Sequence, residues 1–242
     1  MNILAINGSP TMHKGMTHVL LTSFLDGARE AGAQTQTLFL QKMKVSACLG
    51  CYGCWVKTPG ACVQNDDGAK LIEEVRQADL LVLGTPVYLD GMTAQMKLFI
   101  DRLMPLLAPR FELVEGHCRH SRRYEKLPRV ALVSVAGFHE PDNFDALIDH
   151  VERICRNLHM EFAGSLVRPA CYVLSMEEAF PEPVRKIKQA AHRAGRELVE
   201  KGSISPEARE AVAEPVFTKE IFIEQSNRFW DRCVAKGRWL LG

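Results

Sequence analysis

Hydrophobic positions along the chain follow two patterns in turn. NILAIN (residues 2–7), QTQTLFL (34–40), ADLLVLGT (78–85), RVALVSVA (129–136) and FAGSLV (162–167) are short apolar or β-branched runs closed by turn residues, which predicts strands. Between them lie longer segments of helical periodicity, at 15–31, 66–77, 92–107, 142–158 and 182–202. Each is spaced so that a right-handed crossover returns the chain to a parallel strand. The near-continuous apolar character of DLLVLG and RVALVSV fits a sheet covered on both faces. Five strands alternating with five helices predict an α/β fold with an open, doubly wound parallel sheet. After residue 202 the pattern changes. SPEAREAVAEP reads as a short helix stopped by Pro215, and FIEQSNRFWDRCVAKGRWLL as an amphipathic tail rich in aromatics. The expected organisation is one domain over 1–202 with a helical C-terminal extension over 203–242.

Composition narrows the class. With 242 residues and 47% hydrophobic content the chain can bury a full core. A formal net charge of +1, with both signs mixed along the chain, leaves no broad electrostatic footprint for nucleic acid or an anionic membrane. The opening MNILAINGSP has no basic region leading into an apolar one, and no apolar run approaches the roughly 20 residues that span a bilayer. These features predict a soluble, cytoplasmic protein. In a reducing compartment cysteines persist as thiols, so four of them within CLGCYGCWVKTPGAC (48–62) point to a metal or redox site rather than to a disulfide framework.

Ligands of such sheets bind beyond the carboxyl ends of the strands, where strand order reverses, so the loops after the first three strands carry the chemistry. The first, NGSPTMHKGMTHVL, offers hydroxyls at Ser9 and Thr17, a cation at Lys14 and the amides of a helix start, which suit a phosphate. A simple capped turn is the structural alternative. The loop has neither the G-x-G-x-x-G of dinucleotide sites nor the G-K-[ST] of P-loops. The third, GTPVYLDGMTAQMKLFIDR, combines Pro86, the flat ring of Tyr88 and a turn at Gly91, along which a planar aromatic ligand can lie. Lys97 and Asp101, four apart, read as a surface ion pair.

NGSP after the first strand, with TPVYLDGMTAQMKLFIDR after the third, resembles the NADPH-dependent FMN reductase group of flavodoxin-like proteins. CLGCYGCWVKTPGACVQNDD is similar to the compact motif of the iron-sulfur flavoproteins within that group, C-x2-C-x2-C with a fourth cysteine further on. The resemblance spans about 1–173 and implies a flavodoxin-like sheet of order 2-1-3-4-5. It implies that Ser9, Lys14, Gly15, Met16 and Thr17 hold the FMN phosphate and that Pro86, Val87, Tyr88, Leu89, Gly91 and Met92 line the flavin ring. It further implies that Cys48, Cys51, Cys54 and Cys62 ligate a [4Fe-4S] cluster, with no side chain acting as a nucleophile. Two departures stand out: Met16 where relatives carry a small polar residue, and no glycine pair in VAGFHEPDNF after the fourth strand.

A cubane needs four inward thiolates on a wrapping backbone, which Gly50, Gly53 and Gly60 allow. Structural zinc and free thiols remain open, although three cysteines at successive spacings of three favour a cluster over paired zinc knuckles. Cys118, Cys155, Cys171 and Cys233 are scattered and read as core or surface residues. HCRH (117–120), inside a segment 115–128 of no assigned role, reads as a solvated basic loop rather than as a metal site, with attraction of NADPH phosphates as the alternative. Three functions follow: an electron-transfer flavoprotein coupling FMN to a [4Fe-4S] cluster, a cluster-free NAD(P)H-dependent FMN or quinone oxidoreductase, and a non-catalytic flavin-binding or zinc-stabilised module. The partners expected are NAD(P)H, a ferredoxin-like donor, a quinone or oxygen species, and further copies of the chain in a homodimer or homotetramer. The aromatics Phe229, Trp230 and Trp239 are expected to pack on a partner subunit or to shield the flavin.

Overall fold

The computed structural model of the protein describes residues 1–240; the last two positions of the expected tail, Leu241 and Gly242, lie outside the described residues. The elements run β1 (Asn2–Asn7), α1 (Met16–Glu30), β2 (Gln34–Phe39), α2 (Gly53–Val56), α3 (Gly68–Gln77), β3 (Leu80–Pro86) and α4 (Ala94–Asp101). They continue β4 (Leu107–Val114), β5 (His117–Arg122), β6 (Arg129–Val135), α5 (Asp145–Leu158), β7 (Phe162–Arg168), α6 (Pro181–Lys201), α7 (Pro206–Ala213) and α8 (Lys219–Lys236). Five strands form one sheet in the order β2-β1-β3-β6-β7, with every neighbouring pair parallel. With the β4–β5 hairpin set aside, this is the flavodoxin-like 2-1-3-4-5 expected.

The apolar runs explain the layers. Successive strand residues point to opposite faces. Ile3, Ala5, Leu80, Val82, Ala131 and Val133 join the core under α1, α6 and α7. Leu4, Ile6, Leu81, Leu83, Val130 and Leu132 join the core under α3, α4 and α5. A strand buried on both sides has no polar alternation to show, which is why these runs read as continuous.

Two stretches differ from the sequence reading. The helix expected over 92–107 is only α4, capped where the Thr93 hydroxyl accepts from the Met96 amide, followed by a separate 3-10 turn at Met104–Leu106. Pro105, in the first turn of that short helix, has no amide with which to continue the α-helical ladder. The second difference corrects the basic-loop reading of HCRH. Residues 117–120 open β5, which pairs antiparallel with β4 across a tight turn with positive φ at Glu115 and Gly116. The ring of His120 lies between those of Phe111 (4.3 Å) and Trp55 (4.5 Å). The hairpin has no helix period and was invisible beneath its charged residues.

The C-terminal part adds two helices. α7 buries Ala208 and Val212 in the core, and the buried Arg168 of β7 donates from Nη1 to the carbonyls of Val212 (2.9 Å) and Glu214 (2.7 Å). α8 begins against the loop after β6, where Lys219 pairs with Glu140 (2.7 Å) and His139 Nε2 donates to the Phe217 carbonyl.

Candidate functional site

All three loops open at the carboxyl edge of the sheet. In the first, Asn7 is buried and its Oδ1 accepts from the Ser9 amide (2.9 Å), which folds the chain back just after β1. The hydroxyls of Ser9 and Thr11 meet at 3.0 Å beside Gly15. A Cβ at Gly15 would stand 2.7 Å from Ser9 Oγ, so this position accepts no side chain without opening the loop. Gly15 caps α1 without any side-chain bond, so the first amides of the helix face the same spot. Lys14 is exposed beside it and Thr17 is buried in the first turn. Met16 packs its side chain against the core, which accounts for an apolar residue in the loop.

The third loop is built on a tight turn. Tyr88 and Gly91 exchange two backbone bonds (2.9 and 3.1 Å), and the two residues between them, Leu89 (φ 45°) and Asp90 (φ 63°), are both left-handed. The left-handed positions are therefore not at Gly91, where the sequence placed the turn. Two successive non-glycine residues in this region store strain, and such strain collects at functional loops. Leu89 is wholly exposed, Tyr88 is exposed, and Met92 is buried in the core beneath. Val87 extends β3 by donating to the Val135 carbonyl, which carries Pro86 and Val87 to the rim. Thr93 locks this loop to the first: its hydroxyl donates to the Gly8 carbonyl (2.8 Å) while its amide donates to Thr85 Oγ1 (3.2 Å).

Neighbouring loops complete an aromatic rim that the sequence did not reveal. Phe138, after β6, is exposed, and the ring of Tyr172, after β7, lies close to Gly137. Burial raises the Tyr172 hydroxyl above its ordinary range, with smaller contributions from Cys171 and Tyr88, so the two tyrosines lie within electrostatic reach of each other. Trp239 reaches Tyr172 (5.8 Å) and clusters with Phe229 (5.1 Å) and Trp230 (5.3 Å).

The cysteine loop leaves β2 and returns to α3 through a closed base. Lys44 and Asp67 exchange bonds, and the Ser46 amide donates to Asp66 Oδ2 (2.9 Å). Arg102 donates from both terminal nitrogens to Asp66 (2.7 and 2.8 Å) and from Nη1 to the Ser46 carbonyl (2.9 Å). The two side chains are 1% and 3% exposed. Hydrogen bonds from Arg102 first, then from the Ser46 and Gly68 amides, hold the Asp66 carboxyl well below the usual carboxylate range. Trp55 anchors the middle of the loop by donating to the Met104 carbonyl (3.2 Å). Left-handed residues at Gly50, Tyr52 and Gly60 bend the chain, and Gly53 lets Val63 approach.

Cys48 and Cys51 are exposed, and Cys54 and Cys62 half-buried. The Cys54 thiol is pushed up by burial first, then by the charges of Cys62, Cys48 and Cys51, so all four thiols share one neighbourhood. Among the described residues no three acidic, histidine or cysteine side chains converge closely enough to hold a metal ion. Four cysteines in one short loop nevertheless supply the donor type of a sulfur-ligated group, in which binding a cation would convert the thiols to thiolates. A cavity of about 570 Å³ borders Cys48 and Cys54 and is walled across by Phe111, Cys118 and His120 of the hairpin. Cys155, Cys171 and Cys233 are buried, the first two with thiols pushed up to about 12, whereas Cys118 is exposed. Lys97 and Asp101 form the expected surface pair (2.6 Å).

Of the residues that sequence reasoning missed, Thr93 carried a local signal as a cap before an apolar helix. Asp66 and Arg102 carried none, being 36 positions apart, and Tyr172 and Phe138 reach the rim only through the order of the strands.

Residues 1–142 match the family model described as NADPH-dependent FMN reductase. An iron-sulfur flavoprotein of Methanocaldococcus jannaschii is 35% identical over 106 residues, 44% of this chain and 53% of that protein. One of Archaeoglobus fulgidus is 36% identical over 105 residues, 43% and 46% of the two chains. The chain thus spans about half the length of the curated relatives it matches. An NAD(P)H:quinone oxidoreductase structure from Methanothermobacter marburgensis superposes with a TM-score of 0.58 at 18% identity, covering 82% of this chain and 96% of that one, a likeness of fold.

Proposed function

On the premise that the chain belongs to the NADPH-dependent FMN reductase family, we propose that it is a flavin-dependent oxidoreductase in which FMN works beside a [4Fe-4S] cluster. The observation that carries this reading is the common rim: the phosphate-type loop, the strained Tyr88 turn and four neighbouring thiols all leave the carboxyl edge of adjacent parallel strands. Ser9, Gly15, Thr17 and the amide of Met16 would receive the phosphate, with Lys14 supplying charge. Pro86, Val87, Tyr88, Leu89, Gly91 and Met92 would flank the ring, with Tyr172 added to them. Cys48, Cys51, Cys54 and Cys62 would hold the cluster. Bound FMN exchanges electrons singly or in pairs, chemistry that side chains lack, and a thiolate-held cluster passes single electrons. The chain's own part is to orient and shield. Leu89 and Tyr88 leave one side of the rim open to a nicotinamide or an acceptor, while Thr93 keeps the two flavin loops in register.

Among the described residues no helix is long and apolar enough to cross a membrane. Exposed Ile221, Ile223, Trp230 and Val234 on α8 support self-association through the tail. Anaerobic purification with flavin and metal analysis tests the main reading. About four irons and one FMN per chain are expected, and stoichiometric zinc overturns it. The cluster-free NAD(P)H:acceptor reductase is the second reading, supported by the lack of convergence among the thiols. FMN bound without iron, and bleached rapidly by NADPH, would select it.

A further inference from the structure

The cavity of about 570 Å³ between the cysteine loop and the β4–β5 hairpin has the size of a small-molecule site, about 300–1,000 Å³. Its floor is apolar: Ile100 and Met104 come from the end of α4 and the turn after it, Ile154 and Leu158 from the last turns of α5. A helix that joins parallel strands runs back to their amino ends, so this floor lies at the opposite edge of the sheet from the loops after β1 and β3. One wall is aromatic. Phe111, His120, Trp55 and Tyr52 form a continuous row of rings with successive centroids 4.3, 4.5 and 5.3 Å apart, and all but Trp55 border the cavity. Phe111 and His120 are paired across the hairpin and so share one face of it, yet Phe111 and Tyr52 remain exposed. Bonds from side chains to backbone fix both sides: His159 Nε2 donates to the His120 carbonyl (2.6 Å) and Trp55 to the Met104 carbonyl (3.2 Å). Polar groups are few. Asp101 is engaged by Lys97 (2.6 Å), whereas the His120 imidazole bonds no protein group among the described residues, its Nδ1 being buried and unpaired. A neutral imidazole offers one donor and one acceptor, and buried polar groups are ordinarily paired.

We propose that this cavity is a second ligand site, separate from the flavin loops, for a planar aromatic of one or two rings that bears a hydroxyl or carbonyl oxygen, a phenol or a quinone. The ligand's ring covers the aromatic row and the apolar floor, and its oxygen pairs with the His120 imidazole. Cys48 and Cys54 border the same space, so a molecule bound there lies against the cysteine loop. The site is built by the hairpin, α4 and α5, and does not depend on what the cysteines carry.

The test is equilibrium dialysis of the full chain, with saturating FMN, against 2-naphthol and against naphthalene, which lacks the oxygen. Naphthol is expected to bind about tenfold tighter than naphthalene, as one added hydrogen bond allows. His120→Phe keeps the row of rings and is expected to abolish that preference. Ile154→Trp fills the floor from α5 and is expected to weaken both ligands about tenfold. Phe111→Ala, at an exposed strand position, covers the case in which the tryptophan variant fails to fold, and is expected to weaken both about fivefold. FMN retention is expected to be unchanged in all three. A preference that survives His120→Phe, affinities unmoved by Ile154→Trp and Phe111→Ala, or displacement of naphthol by FMN overturns the proposal. Reconstitution with iron and sulfide separates the cavity from the cysteine site. Naphthol binding that persists in the iron-loaded chain supports a second site, and binding lost on loading assigns the space to the metal group and overturns it. A chain that takes up no iron but binds naphthol with the expected His120 dependence removes the cluster and supports this site.

Discussion

Asp66 shows how one residue ties loop closure to pH. Its carboxyl accepts from Arg102 and from the amides of Ser46 and Gly68, and its ionisation is depressed in the folded protein. A depressed carboxylate contributes stability that is complete above the ordinary range near 4 and is lost as pH falls toward its folded value. Thermal unfolding between pH 2 and 7 is therefore expected to show a fall in stability on acidification that is shallower in Asp66→Asn. That variant also leaves Arg102 buried without its counter-charge, at a cost of about 3–5 kcal/mol near neutrality. Tyr88 makes a different kind of contribution. As the one aromatic ring on the strained turn, it is expected to stack on the flavin, and Tyr88→Ala should weaken FMN binding about fivefold to tenfold, as stacking worth about 1 kcal/mol requires. Equilibrium dialysis against FMN measures this, and unchanged retention would remove the loop from the flavin site.

Helix α1 meets α6 with no side chain between them at two points. A Cβ on Gly27 would overlap the His192 carbonyl, and one on Gly195 the Phe24 carbonyl. Backbone cannot yield as a flexible side chain does, so Gly195→Ala is expected to cost about 1–3 kcal/mol in urea unfolding with an unchanged slope. The cysteine loop is a separate unit from the loops after β1 and β3, closed on its own base by Lys44, Ser46, Asp66 and Asp67. Cys54→Ser is accordingly expected to abolish iron binding while FMN still binds and is still reduced by a competent donor. Stopped-flow transfer to a one-electron acceptor should then slow markedly; full retention of that transfer would make the four cysteines structural.

In the molecule as a whole, the tail joins the rim to the surface. α7 belongs to the packed core through Ala208, Val212 and the buried Arg168, whereas α8 buries Cys233 and presents Ile221, Ile223, Trp230 and Val234 to solvent. Removing residues 216–242 is expected to leave the sheet and its unfolding transition nearly unchanged. It should also convert an oligomer to a monomer in sedimentation velocity, since the apolar face is lost with the helix. An unaltered sedimentation coefficient per chain would assign self-association to another surface.

The sequence by itself determined the strands and helices of the sheet, because burial on both faces demands continuous apolar runs and the crossovers demand amphipathic helices of fixed spacing. It also determined which loops hold hydroxyls, a ring and thiols, since those residue types are local facts. The β4–β5 hairpin escaped it, for its strands are largely exposed and carry no apolar alternation. The partnership of Asp66 with Arg102 and the placing of His120 against Trp55 were decided only by tertiary structure. Each joins residues from different elements, and such contacts depend on strand order and helix packing, which no local pattern of residues encodes.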